Sequence, residues 1–257
     1  MAEVALALGL PLFQPDSVNG EQARARIAEA RPEALCVCAF GALIKEPLLS
    51  ERLMLNVHPS LLPRWRGAAP IERAIEAGDE VTGVSIMRLV LELDAGPVCL
   101  QSTEPILPDD DFGTLSARLE SAAGELLERA LDEGPPFVDQ PTEGITYAHK
   151  VGPEDRRLDP RLSAEALARR VRALTPHIGA YADVDGERLG VRRAAARRPS
   201  GAPPDPGHLG VEGTRLWLGC EGGALELLEV QPAGGRPMDA AAYLRGHAAR
   251  LGPARAA

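Results

Sequence analysis

The chain of 257 residues is 45% apolar and carries 28 Lys and Arg against 37 Asp and Glu, a formal net charge of −9. Its length and apolar share suffice for a buried core in one large or two ordinary domains. No apolar run approaches the roughly 20 residues of a membrane span, and Met1-Ala-Glu-Val-Ala-Leu6 lacks the basic start of a signal peptide, so a cytoplasmic chain with no membrane partner is expected.

In chain order, residues 2–8 read as a short helix stopped by Gly9, and Asn19 as the cap of a second helix running through Ala30. Leu35-Cys-Val-Cys-Ala39 is a continuous apolar run, the mark of a strand covered on both faces, and Met54–Val57 is a shorter one. Pro70 suits the first turn of a helix ending at Ala77, before Gly78. Thr82–Leu89 and Val98–Glu104 read as strands around the turn Glu92-Leu-Asp-Ala-Gly96. Leu115, Leu119, Ala122, Leu126 and Ala130 recur at helical spacing after Asp111. Helices alternating with apolar strands predict an α/β first domain, residues 1–140, on a mostly parallel, doubly wound sheet.

Residues 132–160 are rich in Pro, Gly and charge, and the linker is placed at 141–160. Beyond it, Ser163 caps a helix with Leu167, Val171 and Leu174 on its inner face. The pattern then changes to short strands: Tyr181–Val184 turning at Asp185-Gly186, His208–Val211 turning at Glu212-Gly213, Leu216–Leu218 and Leu225–Val230. These predict a small, OB-like β-barrel domain over 161–257.

Charge divides along the same line. Residues 151–257 hold 16 Arg against 13 Asp and Glu, a net of +3, while residues 1–150 hold 12 basic against 24 acidic residues, a net of −12. A nucleic-acid partner would favour the C-terminal part, where Arg192, Arg193, Arg197 and Arg198 cluster, although such a cluster beside Pro and Gly also reads as a solvated loop. Cys36, Cys38, Cys99 and Cys220 lie in apolar segments, and Cys36-Val37-Cys38 lacks the second ligand pair of a zinc site, so reduced core cysteines are expected.

The chemistry gathers at Asn56 and His58. Two residues apart at the end of a strand, they share a side at the sheet edge where open α/β folds place ligands. Asp94, in the turn after the next long strand, is placed to reach the same edge, though either residue type also serves structurally as a bonded histidine or a turn aspartate. A carboxylate favours a charged imidazolium, and an imidazolium plus a carboxamide N–H stabilise an oxyanion at an attacked carbonyl. No Gly-x-Ser-x-Gly elbow supplies a covalent nucleophile, so acyl transfer by direct attack of a substrate amine is the economical reading. His58 and Asp94 lack a third ligand at metal spacing, and no metal is expected.

The run Asn56-Val-His-Pro-Ser-Leu-Leu-Pro-Arg-Trp-Arg-Gly-Ala-Ala-Pro-Ile71, with Thr82-Gly-Val-Ser-Ile-Met87 and Leu93-Asp-Ala-Gly96, resembles the tetrahydrofolate-dependent formyltransferases. The form Arg64-Trp-Arg-Gly-Ala-Ala-Pro-Ile71, Thr146-Tyr-Ala-His-Lys150 and the segment Leu227–Gly246 are similar to the branch that acts on charged initiator tRNA. The resemblance implies a Rossmann-like catalytic domain and a tRNA-binding C-terminal domain. It implies 10-formyltetrahydrofolate as co-substrate, methionyl initiator tRNA as partner and a monomer. It implies Asn56, His58 and Asp94 as the catalytic trio, with His58 held as an imidazolium, and Ser60, Leu61, Leu62 and Pro63 as the folate-touching loop. Other acceptors, an amino sugar or a purine precursor, remain open, as does an inactive remnant. The family begins with a strand, a glycine turn, a helix and a second strand that have no counterpart before Gly9, so the expectation is a chain incomplete at its N-terminus.

Overall fold

The computed structural model describes residues 2–184 and 186–247; Asp185 of the expected turn and the last ten residues of the expected 161–257 domain lie outside it. The chain opens with α1 (Ala2–Ala7), α2 (Glu21–Ala30), β1 (Ala34–Cys38), α3 (Leu48–Glu51), β2 (Leu53–His58), β3 (Arg66–Gly67) and α4 (Pro70–Ala77). There follow β4 (Val81–Arg88), β5 (Val98–Pro105), α5 (Phe112–Glu133) and β6 (Tyr147–Ala148). The remainder is α6 (Ala164–Leu174), β7 (Ala180–Val184), β8 (Glu187–Ala195), β9 (Leu209–Glu212), β10 (Arg215–Cys220), β11 (Gly223–Pro232), β12 (Met238–Asp239) and α7 (Ala240–His247).

Four helix ends follow local chemistry. α4 starts on Pro70, whose missing N–H is no loss in a first turn, and stops where Gly78 takes a left-handed cap. Asp111 and Thr114 form a reciprocal capping box at the start of α5, and the Ser163 hydroxyl accepts from the Ala166 N–H at the start of α6. The Asn19 expectation needs correction. Gly20 occupies the cap of α2 without a side-chain bond, and Asn19 instead donates to the Leu43 carbonyl and accepts from the Lys45 N–H, both at 2.8 Å, tying two loops together.

The first sheet has the order β1-β2-β4-β5. β1 and β2 run parallel, whereas β2–β4 and β4–β5 are antiparallel, so pairing is mixed rather than mostly parallel among the described strands. The reason lies in the connections: α4 returns the chain beside β2 in the opposite sense, and the short turn between β4 and β5 permits only an antiparallel pair. Leu115, Leu119, Leu126 and Ala130 of α5 and Ile71 and Ile75 of α4 form one core with Leu55, Val57, Val84 and Ile86 of the sheet. Among the described strands β1 and β5 lie at the two edges. Cys36 and Cys38 are exposed, which corrects the expectation of a doubly covered strand and of core cysteines there; Cys220 is buried and Cys99 partly so.

The C-terminal strands pair antiparallel in the order β7-β8-β11-β10-β9, with β12 added to β11. No ladder between β7 and β9 closes a barrel among the described residues, so the expected barrel is observed as an antiparallel sheet. Leu167, Val171 and Leu174 of α6 cover it over Val191, Leu216, Leu218, Leu225 and Leu227. Ala173, on the same helix, belongs to the core of the first sheet, so α6 faces both units. No described helix is long and apolar enough to cross a membrane.

Candidate active site

β2 is held by β1 on one side and β4 on the other, and its last turn of pleat carries Asn56 opposite Met87 and His58 opposite Ser85. Alternate residues of a strand share a face, so the two side chains leave the sheet together at its end. Asp94 arrives from the β4–β5 turn, where its φ of +46° is left-handed and strained for a residue with a side chain. The turn is tight: a Cβ on Gly96 would collide with the Arg88 carbonyl oxygen.

The three expected catalytic side chains do converge. Asn56 Nδ2 donates to Asp94 Oδ1 at 3.5 Å, and His58 Nδ1 lies 3.7 Å from Asp94 Oδ2. His58 Nε2 faces the Trp65 carbonyl oxygen at 2.8 Å, an acceptor, which gives Nε2 the proton. Asp94 Oδ2 also accepts from the Gly67 N–H at 2.8 Å. His58 is 4% exposed, so water hardly competes for these contacts.

Burial pushes the His58 proton affinity below the ordinary histidine value of 6.5, and this outweighs the upward pull of the Asp94 carboxylate and the Trp65 carbonyl. That direction favours the neutral ring at rest, where the expectation was a standing imidazolium. Its charge would have to arise during a reaction, when negative charge develops beside it.

The loop from Ser60 to Pro63 is fastened to the sheet below. The Ser85 hydroxyl donates to the Ser60 carbonyl at 2.6 Å and accepts from the Leu62 N–H at 3.2 Å, and Gln101 Nε2 donates to the Leu62 carbonyl at 3.0 Å. Ser60 and Leu62 are buried, the Ser60 hydroxyl donating to the Arg64 carbonyl, whereas Leu61 and Pro63 are half-buried. The latter two offer the apolar surface of this loop.

Sequence reasoning quoted the stretches that frame the site only for the family resemblance and gave their residues no role in it. Arg64 forms a bidentate pair with Asp79, which also accepts from the Trp65 indole N–H, and Thr146 accepts from the Trp65 N–H through its hydroxyl. β3 pairs in parallel with β6, matching Arg66 with Tyr147 and Gly67 with Ala148. Gly67 has a φ of +120°, and a Cβ there would sit 2.7 Å from the Ala148 carbonyl oxygen. The signal was present in Arg64–Gly67 and Thr146–Lys150, two stretches whose composition exceeds what a connector needs. Among the described residues no group of three or more His, Cys, Asp or Glu is placed to hold a metal ion. Of the arginine cluster, Arg192 is bonded to Gln231 and Arg197 to Glu226.

A buried imidazole, a carboxamide and a carboxylate thus meet at the end of β2. Residues 2–131 match the formyl transferase family and residues 150–248 match the formyl transferase C-terminal domain. A methionyl-tRNA formyltransferase from Thermus thermophilus is 43% identical over 250 residues, spanning 96% of this chain and 81% of that protein. One from Thiobacillus denitrificans is 40% identical over 255 residues, spanning 97% and 82%. The solved structure of HypX from Aquifex aeolicus in complex with tetrahydrofolic acid shares the fold with a TM-score of 0.64 at 20% identity, over 86% of this chain and 40% of that one. The chain belongs to the formyl transferase family.

Proposed function

We propose that this chain transfers the formyl group of 10-formyltetrahydrofolate to the α-amine of methionyl initiator tRNA, in the cytoplasm, as a step of translation initiation. The observation that carries the reading is the meeting of Asn56, His58 and Asp94 at one point on the sheet edge. The two family matches and the names of the relatives at 40–43% identity support the choice of substrates, and favour tRNA over an amino sugar or a purine precursor as acceptor.

The folate supplies a formyl carbon bound to nitrogen, and Leu61 and Pro63 on the fastened loop are the apolar wall against which it would lie. An α-amine titrates near pH 8, so a useful fraction is neutral and able to attack without a strong base. As the new C–N bond forms, the Asn56 carboxamide donates to the oxygen that becomes negative. His58, neutral at rest, accepts the proton that the amine loses. The resulting imidazolium is stabilised by the Asp94 carboxylate and by the oxyanion, which together offset the burial that kept the ring neutral. His58 returns the proton to the departing folate nitrogen as the old C–N bond breaks. Residues 1–140 carry this chemistry, 161–257 grip the tRNA, and 141–160 link them; all the named groups lie on one polypeptide, in keeping with a monomer.

The test is a formylation assay with 10-formyltetrahydrofolate and charged initiator tRNA, run beside amino-sugar and purine-precursor acceptors. Formyl-methionyl product on tRNA is expected. Product on another amine would overturn the acceptor, and a chain that neither melts cooperatively nor responds to folate would be a remnant.

A further inference from the structure

Asp94 is held in its strained turn by a residue 46 positions further along the chain. Gln140 Nε2 donates to the carbonyl oxygens of both Asp94 and Gly96, each at 2.8 Å. Its Oε1 accepts from Arg66 Nε at 3.1 Å and from Arg66 Nη2 at 2.9 Å. Four bonds use both donors of the amide and both lone pairs of its oxygen. The orientation is unambiguous, because a flipped amide would set its oxygen against two carbonyls and its NH2 against a guanidinium.

Arg66 is buried, with 5% of its surface exposed, and its remaining contact is with Glu92, 3.7 Å from Nη1 in the same turn as Asp94. The arginine is flanked by the two residues whose backbones enter the site: Trp65, whose carbonyl meets His58, and Gly67, whose N–H meets Asp94. One side-chain bridge thus joins the backbone that faces the imidazole to the backbone that carries the carboxylate.

We infer that Gln140, oriented by Arg66, is a positioning residue of the formyl-transfer site that sets the Asp94 carboxylate against His58. The inference rests on the catalytic reading given above. A left-handed aspartate persists where its surroundings over-determine it, and here the two carbonyl bonds from Gln140 supply that constraint from outside the turn. Without them the turn relaxes, and the carboxylate moves away from the His58 ring, whose other nitrogen faces the Trp65 carbonyl. Gln140 touches no reacting atom; it acts through Asp94.

Two substitutions test this. Gln140→Met keeps length and charge and removes all four bonds. Gln140→Glu keeps an acceptor for Arg66 and withdraws the donors to Asp94 and Gly96, so it separates the turn from the stability of the buried arginine. In both, kcat is expected to fall by about tenfold or more, since a displacement of about 1 Å at a reacting group costs up to about 10² in rate. KM for the folate is expected to stay within about twofold. By NMR, the His58 ring of Gln140→Met is expected to titrate at lower pH than in the wild type, because the carboxylate that raises it has moved away. A purely structural glutamine would lower the melting temperature and leave that titration in place. Wild-type titration in folded Gln140→Met, or wild-type kcat in Gln140→Glu, overturns the inference. The titration needs no turnover: a wild-type chain without formyl transfer refutes the proposed reaction, and the NMR result still decides the role of Gln140.

Discussion

Replacing Asp94 with Asn isolates the charge of the carboxylate from its shape. The asparagine Oδ1 can still accept from the Gly67 N–H, the 2.8 Å contact that seats the side chain. What is lost is the negative charge 3.7 Å from His58 Nδ1. At an effective dielectric of about 20, a unit charge pair at that separation interacts by about 4 kcal/mol, equivalent to about three powers of ten in rate if the imidazolium forms only during the reaction. The amide dipole recovers part of this, so kcat is expected to fall by between about 10² and 10³. The pH profile carries a second signature. His58 must be neutral to take the amine proton, so kcat/KM rises with pH through its titration, below 6.5 in the wild type because burial lowers it. Removing the group that raises it moves this limb further down in Asp94→Asn. The assay is initial-rate formylation between about pH 5 and pH 9, with melting curves to confirm folding. A folded Asp94→Asn protein within about fivefold of the wild-type kcat and with an unmoved acid limb would refute the assigned role of the carboxylate.

Asn56→Ala removes the proposed oxyanion donor and is expected to lower kcat by about 10² or more while folate binding, measured by fluorescence or calorimetry, is largely kept. Gly67→Ala forces a side chain to within 2.7 Å of the Ala148 carbonyl oxygen at a φ of +120°, so it is expected to open the β3–β6 pairing and to lower both melting temperature and kcat; crystallography of the variant would show the Gly67 N–H withdrawn from Asp94. Acid should weaken the fold at a second place. Bonds to Arg118, the Leu107 N–H and Thr114 hold the buried Asp110 carboxyl down at about 2 against 3.8 ordinarily. A depressed carboxyl contributes stability that is present above 3.8 and lost as pH falls toward 2, here about 2 kcal/mol, and urea unfolding of Asp110→Asn should show that loss at pH 7 and a flatter acid limb. His58 acts in the same direction at milder acidity: its lowered affinity means that the unfolded chain binds more protons, so stability declines as pH falls below 6.5.

What could be read from the sequence was what neighbours along the chain decide. Pro70 and Gly78 bound α4, Asp111 caps α5 and Ser163 caps α6 because caps bond within three residues of themselves. Asn56 and His58 share a side because a strand repeats every two residues, and that pairing in a run rich in Pro, Trp and Arg identified the family. The tertiary structure decided the rest. Asn19 has the composition of a cap, yet Leu43 and Lys45, some 25 residues on, satisfy it better. The apolar run through Cys36 and Cys38 lies at a sheet edge, so its cysteines meet solvent among the described residues. The charge of His58 turns on burial, which no local pattern records and which here outweighs a carboxylate at 3.7 Å. Gln140 stands in a stretch that reads as a connector, and its amide finds Arg66, 74 residues earlier, and the Asp94 turn only once the chain has folded. Hydrogen bonds of that span carry no periodicity or spacing in sequence, because the geometry that makes them is set by how the β4–β5 turn, β3 and the segment at Gln140 come together.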